Sequence, residues 1–388
     1  MVADPTLLQK YPSFADLARR AKSRIPHFAW EYLDSGTGAE HGVDRNLTAM
    51  SEIRFTPRFL LGEFETDLST TLFGREYAAP FGIAPVGLTG LMWPRTEWIL
   101  AEAAARARIP YTLSTVATET PETVGARAGD MSWFQLYPPR DRDIRKDLLA
   151  RAANAGFTTL LVTADVPASS QRERQKRAEV SVPPRKSLLT YWRAAVRPQW
   201  ALETLIHGEP RFRMLEAYAN STNMQELAQF VGHNFGGTLS WDYLAEVCEL
   251  WPGQVVVKGI LDVGDARRCV EAGVDGIVVS NHGARQFDGA PASIEVLPTI
   301  AEAVGDDLAI LFDSGVRGGL DILRALALGA NFVLLGRAFI FSVAALGEKG
   351  GEHAIELLMS DLRSCLGNLG CTDLADLPQF LHGAHAAD

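Results

Sequence analysis

From residue 80 onward the chain alternates a short apolar run with a longer amphipathic segment, and it does so eight times. The runs are FGIA (81–84), YTLS (111–114), WFQLY (133–137), TLLVT (159–163), VVVK (255–258), GIVVS (276–280), LAILFD (308–313) and FVLL (332–335). Between them lie segments such as 97–108, 142–155, 263–272, 293–304 and 318–328, rich in Ala, Leu, Glu and Arg. Their apolar residues recur three and four apart, the spacing of a helix with one buried face. Several close on glycine just before the next run, as in AGF (155–157), AGVDG (272–276) and LGANF (328–332), the usual helix stop. Runs apolar on both faces and separated by helices belong to a parallel sheet. Eight in order favour an α/β fold closed into a (β/α)8 TIM barrel, with an open doubly wound sheet as the alternative.

The remaining chain is read around that barrel as parts of one domain spanning 1–388. Residues 1–70 form an N-terminal cap with a helix over 25–33, and 80–350 form the barrel. The stretch 168–238, between the fourth and fifth strands, is an insertion. Residues 351–388 form a terminal helix and tail. A 47% hydrophobic content supplies a large core, and a net charge of −10 argues against nucleic-acid partners. Cys248, Cys269, Cys365 and Cys371 form no C-x-x-C pair, so neither a metal site nor a disulfide framework is expected, and a reducing compartment is. The first residues lack the apolar core of a signal peptide, and no stretch approaches the ~18–20 apolar residues of a membrane span. The expectation is a cytoplasmic protein, soluble or peripherally attached to the cytoplasmic face of the inner membrane.

Active sites of such barrels lie at the carboxyl ends of the strands, with phosphate often held after strands seven and eight. Reactive residues gather at those ends here: Pro85-Val86-Gly87, Ser114, Gln135 and Tyr137, Thr163 and Asp165, Lys258, Ser280 to Arg285, Asp313-Ser314-Gly315 and Gly336-Arg337. Taken singly, each has an ordinary structural explanation. A lysine can snorkel from the barrel mouth, an aspartate can cap a helix, and glycines serve turns. Their convergence on one end of the barrel is what those explanations leave out. Backbone N–H groups around 313–319 and 336–337, with an arginine, suit a phosphate. Gln, Ser and Thr suit the edge of a planar heterocycle, and a lysine beside it would stabilise developing negative charge. Arg172 and Arg285 suit a carboxylate. His282 suits a base, oriented by Asp165.

The block SNHGARQ (280–286), with VVKGIL (256–261), FQLY (134–137), DSGVRGGLDILRALALGA (313–330), LGRAF (335–339) and YLDSG (32–36), resembles the FMN-dependent 2-hydroxy acid dehydrogenases and oxidases. The resemblance runs from about residue 10 to 375. APVGLTG (84–90), LSTVA (113–117) and RPQWA (197–201) bring it nearest to the respiratory L-lactate dehydrogenases of that family. It implies FMN as cofactor and oxidation of an L-2-hydroxy acid, L-lactate first, to the 2-oxo acid. His282 would take the proton with Asp165 as its partner. Arg172, Arg285 and Tyr32 would hold the carboxylate, with Tyr137 near the reacting carbon. Ser114, Gln135, Thr163, Lys258 and Ser280 would contact the flavin ring or ribityl chain, and the backbone of Pro85, Val86 and Gly87 would approach it. Asp313, Ser314, Gly315, Arg317, Gly336 and Arg337 would serve the ribityl and phosphate end. The chain has ASSQR (168–172) where glycolate oxidase has a double arginine, which leaves Arg174 as a substitute for Arg172. It has Val116 for a bulky Trp, and Gly87 for an alanine beside the flavin. The resemblance also implies a homo-oligomer, a tetramer by analogy.

Electrons leaving the flavin would go to a quinone or another carrier, or to oxygen if the enzyme is an oxidase releasing hydrogen peroxide. The insertion carries ten Lys/Arg against six Asp/Glu, and LLTYWRAAVRPQWALETLI (188–206) interleaves Trp192 and Trp200 with Arg193 and Arg197. That combination suits an interfacial membrane segment over 183–215, the alternative being a lid over the active site.

Overall fold

The computed structural model describes residues 4–179, 187–235 and 237–383; residues 183–186 of the expected membrane segment and 384–388 of the expected tail lie outside them. A two-stranded antiparallel hairpin, β1 (Thr70–Leu72) and β2 (Arg75–Tyr77), precedes eight parallel strands. These are β3 (Phe81–Ile83), β4 (Tyr111–Ser114), β5 (Ser132–Leu136), β6 (Thr159–Thr163), β7 (Gln254–Ile260), β8 (Gly276–Val279), β9 (Ala309–Phe312) and β10 (Phe332–Leu335). Each pairs with the next, and β10 pairs with β3, so the sheet closes into a barrel. The strands coincide with the eight apolar runs to within a residue or two at most ends, β7 running two residues further. The helices Thr96–Ala107, Arg142–Asn154, Val263–Glu271, Ser293–Val304 and Gly319–Ala327 occupy the amphipathic segments.

The alternation of side chains along each strand builds the barrel in two storeys. Phe134, Leu160, Val257, Ile277, Ile310 and Val333 point outward into the layer packed by the helices. Their neighbours Trp133, Leu161, Val256, Val278, Leu311 and Phe332 point inward and fill the lower half of the barrel. The hairpin, which the sequence reading did not anticipate, adds Leu72 and Tyr77 to this cluster from below. Tyr77 lies 6.1 Å from Trp133 and 5.4 Å from Phe332 between ring centroids, so its aromatic edge seals the floor. Two residues further along the same strands, where the side chain again points inward, stand Gln135, Thr163, Lys258, Ser280 and Asp313. The period of two thus stacks a polar storey on an apolar one.

The first four helices, Pro5–Lys10, Phe14–Arg24, His27–Asp34 and His41–Glu52, wrap the barrel; Trp30 stacks on Phe341 of the helix Arg337–Leu346. The helix anticipated over 25–33 begins two residues later. The helix Gly350–Leu369 returns the chain to this cap, where the Arg58 N–H donates to the Leu369 carbonyl and the Thr56 N–H to that of Phe380.

Between β6 and β7 the chain forms the helices Glu173–Arg177, Leu188–Ala195, Pro198–His207, Glu216–Ala219 and Met224–Asn234 before the barrel helix Trp241–Leu250. Here one expectation is corrected. Trp200 faces inward, its indole N–H donating to the Leu91 carbonyl and its ring meeting Phe28 edge-on. Arg193 and Arg197 also reach back, to the carbonyls of Ala178 and Ile25. What faces outward is apolar: Leu188 is 91% exposed, Trp192 66%, Leu205 82% and Ile206 63%, with Tyr191 and Leu202 beside them. Both guanidiniums satisfy backbone carbonyls that would otherwise lack a donor, so they turn toward the protein and leave the apolar side chains outward. No helix among the described residues is long and apolar enough to cross a membrane.

Candidate active site

The upper storey opens into a cavity of about 970 Å³ at the carboxyl ends of the strands. Its walls include Tyr32, Pro85, Val86, Gly87, Gln135, Tyr137, Thr163, Arg172, Lys258, His282, Arg285, Asp313, Ser314, Gly315, Arg317, Gly336 and Arg337. The three remaining candidates from the sequence, Ser114, Asp165 and Ser280, stand directly behind the wall, each bonded to a residue in it. The Ser114 hydroxyl donates to Gln135 Oε1 (2.7 Å), whose Nε2 in turn donates to Thr163 Oγ1 (2.8 Å). Lys258 Nζ donates to Ser280 Oγ (2.9 Å) and lies 3.1 Å from Asp313 Oδ2. Lys258 is only 4% exposed, so it does not snorkel from the barrel mouth. Burial works against its charge, but Asp313 and Asp165 outweigh that and hold its ammonium above the ordinary lysine value.

His282 sits just past β8 with φ +59, in a left-handed turn shared with Gly283 (+61) and Ala284 (+58). The Gly283 N–H donates to Ser314 Oγ and the His282 N–H to Ser280 Oγ, which pins the turn between β8 and β9. Its Nδ1 is 2.8 Å from Asp165 Oδ1, and its Nε2 faces the Tyr137 hydroxyl at 3.5 Å. Burial, together with Lys258 and Arg172, holds the imidazole below its ordinary value although Asp165 pulls the other way. Asp165 is pushed up by burial, yet the His282 ring and the Lys258 ammonium leave its carboxyl below the ordinary range. A neutral imidazole paired with a carboxylate is the protonation pattern of a general base. Burial also pushes the Tyr137 hydroxyl up to about 12, which keeps it a donor at neutral pH.

Around this pair stand Arg172, Arg285, Arg317 and Arg337, and no guanidinium of the four has a carboxylate within 4 Å among the described residues, although the Arg317 backbone N–H donates to Asp321 Oδ2 (2.8 Å). Arg285 donates to the carbonyls of Tyr32, Leu33 and Ser35, and Arg337 to those of Leu33, Ser35 and Gly283. Arg172 is held by Ser170 Oγ and Gln286 Oε1. Burial and the neighbouring Arg172 lower Arg285 to about 10; burial, with Arg285 and Arg317, pushes Arg337 well down too. Arg174, the substitute left open by the sequence, is occupied by Glu31 (2.7 Å), Asp34 and Glu40 (both 2.9 Å). It ties the loop to the cap, and Arg172 faces the cavity.

Three features escaped the sequence reading. Asn281 and Asn46 exchange a reciprocal pair of amide hydrogen bonds (2.7 and 2.9 Å), fastening the His282 loop to the cap helix. Gly259, at the irregularity between Lys258 and Ile260 of β7, has φ +107, and a Cβ there would lie 2.5 Å from the Asp165 Cβ. Gly87 faces Val116, whose Cγ2 would be 2.6 Å from an added methyl. Two of the departures noted in the sequence, Gly87 and Val116, therefore meet at one point of the wall.

Over residues 21–382 the chain matches the family described as FMN-dependent dehydrogenase. It is 42% identical over 365 residues to an L-lactate dehydrogenase of Xanthomonas axonopodis pv. citri (strain 306), covering 94% of each chain. An L-lactate dehydrogenase of Caulobacter vibrioides (strain NA1000 / CB15N) is 40% identical over 371 residues, 95% of this chain and 97% of that protein. Among solved structures, that of the monotopic membrane protein (S)-mandelate dehydrogenase superposes with a TM-score of 0.91 at 34% identity, covering 95% of this chain and 98% of that one. A mandelate oxidase does so at 0.81 and 35%, covering 95% and 97%. Closed barrel, upper-storey cavity and kinship agree on an oxidoreductase acting on CH–OH donors. The chain belongs to the FMN-dependent dehydrogenase family, with FMN as its cofactor and a 2-hydroxy acid as the class of substrate it oxidises.

Proposed function

We propose that this enzyme oxidises L-lactate to the 2-oxo acid and hands the electrons to a quinone. The observation that carries the reading is the His282–Asp165 pair beside two partly buried arginines, Arg172 and Arg285, whose guanidiniums have no carboxylate within 4 Å among the described residues. Those arginines match the planar, bidentate demand of a substrate carboxylate; Arg285 lies 5.6 Å from the centre of the Tyr32 ring, whose hydroxyl donates to the Gly87 carbonyl (3.2 Å). His282 Nε2, the ring nitrogen that Asp165 does not hold, receives the proton that leaves the substrate, whichever of the O–H and C–H bonds breaks first. Asp165 then stabilises the imidazolium, and the Tyr137 hydroxyl steadies the oxygen at the reacting carbon.

FMN fits the rest of the cavity. Arg317 and Arg337, partly buried and with no carboxylate within 4 Å of either guanidinium among the described residues, match its phosphate, with Asp313, Ser314, Gly315 and Gly336 beside them. A Cβ at Gly336 would come within 3.3 Å of Val86, so backbone there and at Pro85–Gly87 is available for close approach. Gln135, Thr163, Lys258, Ser114 and Ser280 form a bonded rim suited to the edge of the ring. When bound, FMN takes up the two electrons removed from the substrate.

L-lactate is favoured by the names of the relatives at 40–42% identity. The outward apolar residues of 188–206 support attachment to the cytoplasmic face of a membrane, where a quinone is at hand, and the (S)-mandelate dehydrogenase at TM-score 0.91 is itself named as monotopic. A homo-oligomer, tetrameric by analogy, and a single domain over 1–388 complete the reading. An oxidase is the second reading, favoured by the likeness to the mandelate oxidase. The test is an anaerobic absorbance titration of the holoenzyme with L-lactate, D-lactate, glycolate and L-mandelate. Bleaching by L-lactate supports the proposal; bleaching by L-mandelate alone reassigns the substrate, and rapid recovery in air with peroxide release reassigns the acceptor.

A further inference from the structure

We propose that Arg174 is a positioning residue for the substrate grip: it sequesters the carboxylates of Glu31, Asp34 and Glu40, which would otherwise compete with the substrate carboxylate for Arg172 and Arg285. This rests on the reading that those two arginines hold the substrate, and it gives a part in the reaction to a residue that faces away from the cavity.

Both jaws of the grip hang from one stretch of the cap, residues 31–40. Arg285 donates directly to the carbonyls of Tyr32 (2.9 Å), Leu33 (3.3 Å) and Ser35 (2.9 Å). Arg172 stands at the head of the helix Glu173–Arg177, and that segment is fastened to the same stretch. The Thr37 hydroxyl (2.8 Å) and the Gly38 N–H (3.1 Å) donate to the Gln171 carbonyl, and Gln175 Nε2 donates to Ser35 Oγ (3.0 Å). A helix of five residues does not hold itself in water, so ties of this kind decide where Arg172 points.

The same arrangement sets the acids of the cap beside arginines that they must not capture. Asp34 lies between Leu33 and Ser35, whose carbonyls each accept from both Arg285 and Arg337. Its charge reaches the cavity: burial lowers Arg285, Arg317 and Arg337, and Asp34 works against that at all three, joined by Glu40 at Arg337. Asp34 and Glu40 have no other basic group within 4 Å among the described residues, and Glu31 has only His27, at 3.7 Å. Arg174 therefore stands between three carboxylates and the cations of the cavity.

Its guanidinium is filled in a way that a simple tie does not require. Each of its three nitrogens takes a different carboxylate: Nε that of Glu31 (2.7 Å), Nη1 that of Glu40 (2.9 Å) and Nη2 that of Asp34 (2.9 Å). One carboxylate would fasten the loop. Three on one planar fork hold every acid of this stretch in a fixed direction, which a point charge such as lysine cannot do as well. The grip is thereby left open for a carboxylate that comes from outside the chain.

The experiment titrates oxalate, a dicarboxylate sized for the grip, into oxidised holoenzyme by calorimetry with excess FMN present. KM and kcat for L-lactate are measured alongside, with a dye as electron acceptor. Arg174→Met is expected to weaken oxalate and raise KM about 10- to 100-fold, the scale of one charge-assisted hydrogen bond, with kcat little changed. Adding Asp34→Asn is expected to restore most of the loss, because a liberated charge is removed; a purely mechanical tie would not be rescued by that change. Arg174→Lys keeps the charge and is expected to lose about threefold, with the same recovery from Asp34→Asn, which covers a methionine variant that does not fold. Wild-type oxalate affinity in the Arg174 variants, or a loss that Asp34→Asn leaves in place, would overturn the proposal and leave the grip standing. A wild-type holoenzyme that does not bind oxalate would overturn the reading of the grip itself.

Discussion

Gly259→Ala tests the active-site geometry through a residue that touches neither substrate nor cofactor in the proposed scheme. A Cβ at this position would lie 2.5 Å from both Cβ and Cγ of Asp165. Ordinary carbon contacts are about 3.5–4.0 Å, so Asp165 must retreat by roughly 1 Å. Its 2.8 Å bond to His282 Nδ1 would then stretch to about 3.8 Å, beyond hydrogen-bonding range. Losing a charge-assisted bond of about 1.5–3 kcal/mol to the imidazolium corresponds to roughly a 10- to 100-fold slower substrate-driven flavin reduction. Forcing alanine to φ +107 adds about 1–3 kcal/mol of backbone strain, visible as a lower midpoint of unfolding. The assay is anaerobic stopped-flow reduction of Gly259→Ala, Asp165→Asn and the double variant, with FMN content checked by absorbance. Because both substitutions act on the same hydrogen bond, the alanine should cost little in the Asp165→Asn background. Independent, multiplicative rate losses would refute the chain of reasoning from glycine to carboxylate to imidazole.

Four further outcomes are expected. His282→Ala should keep FMN and colour but slow reduction by L-lactate about 10²- to 10⁴-fold; near-normal bleaching would remove His282 as base. With its folded value depressed, His282 binds fewer protons folded than unfolded, so its contribution to stability is present above the unfolded value of 6.5 and fades as the pH drops below it; the acid limb of the reduction rate should lie below pH 6.5, and a limb above it would contradict the burial argument. Arg337→Met should weaken FMN binding about 10- to 100-fold in a fluorescence titration, while unchanged affinity would move the phosphate elsewhere. Trp133→Ala opens the sealed floor and should cost about 3–5 kcal/mol, read as a shift in the urea midpoint, with the reduction rate of the folded holoenzyme little altered.

The barrel was legible because its strands are buried on both faces, which leaves runs such as TLLVT and GIVVS no other economical reading. The polar storey was legible for the same reason: within such a run, Gln135 or Lys258 two residues beyond an inward apolar residue can point only into the barrel. The hairpin at 70–77 was not, since three-residue strands in TTLFGREY carry no period to read. Nor was the orientation of Trp200, because the segment 188–206 is apolar on more than one face and only Phe28 and the Leu91 carbonyl, far away in sequence, decide which side turns in. The choice between Arg172 and Arg174 rested on Glu31, Asp34 and Glu40, more than 130 residues upstream. Gly259 looked like any strand glycine until β6 brought Asp165 against it.

The arginines of the active site carry one more consequence. Four guanidiniums gathered in one cavity, none with a carboxylate within 4 Å among the described residues, repel one another and strain the fold that holds them. Anions that bind there complete the electrostatics of the native state, so cofactor and substrate act as parts of the folding equilibrium as well as of the reaction. The amount of intact enzyme in a cell would then follow the supply of flavin, and apoprotein would be the form presented to proteases.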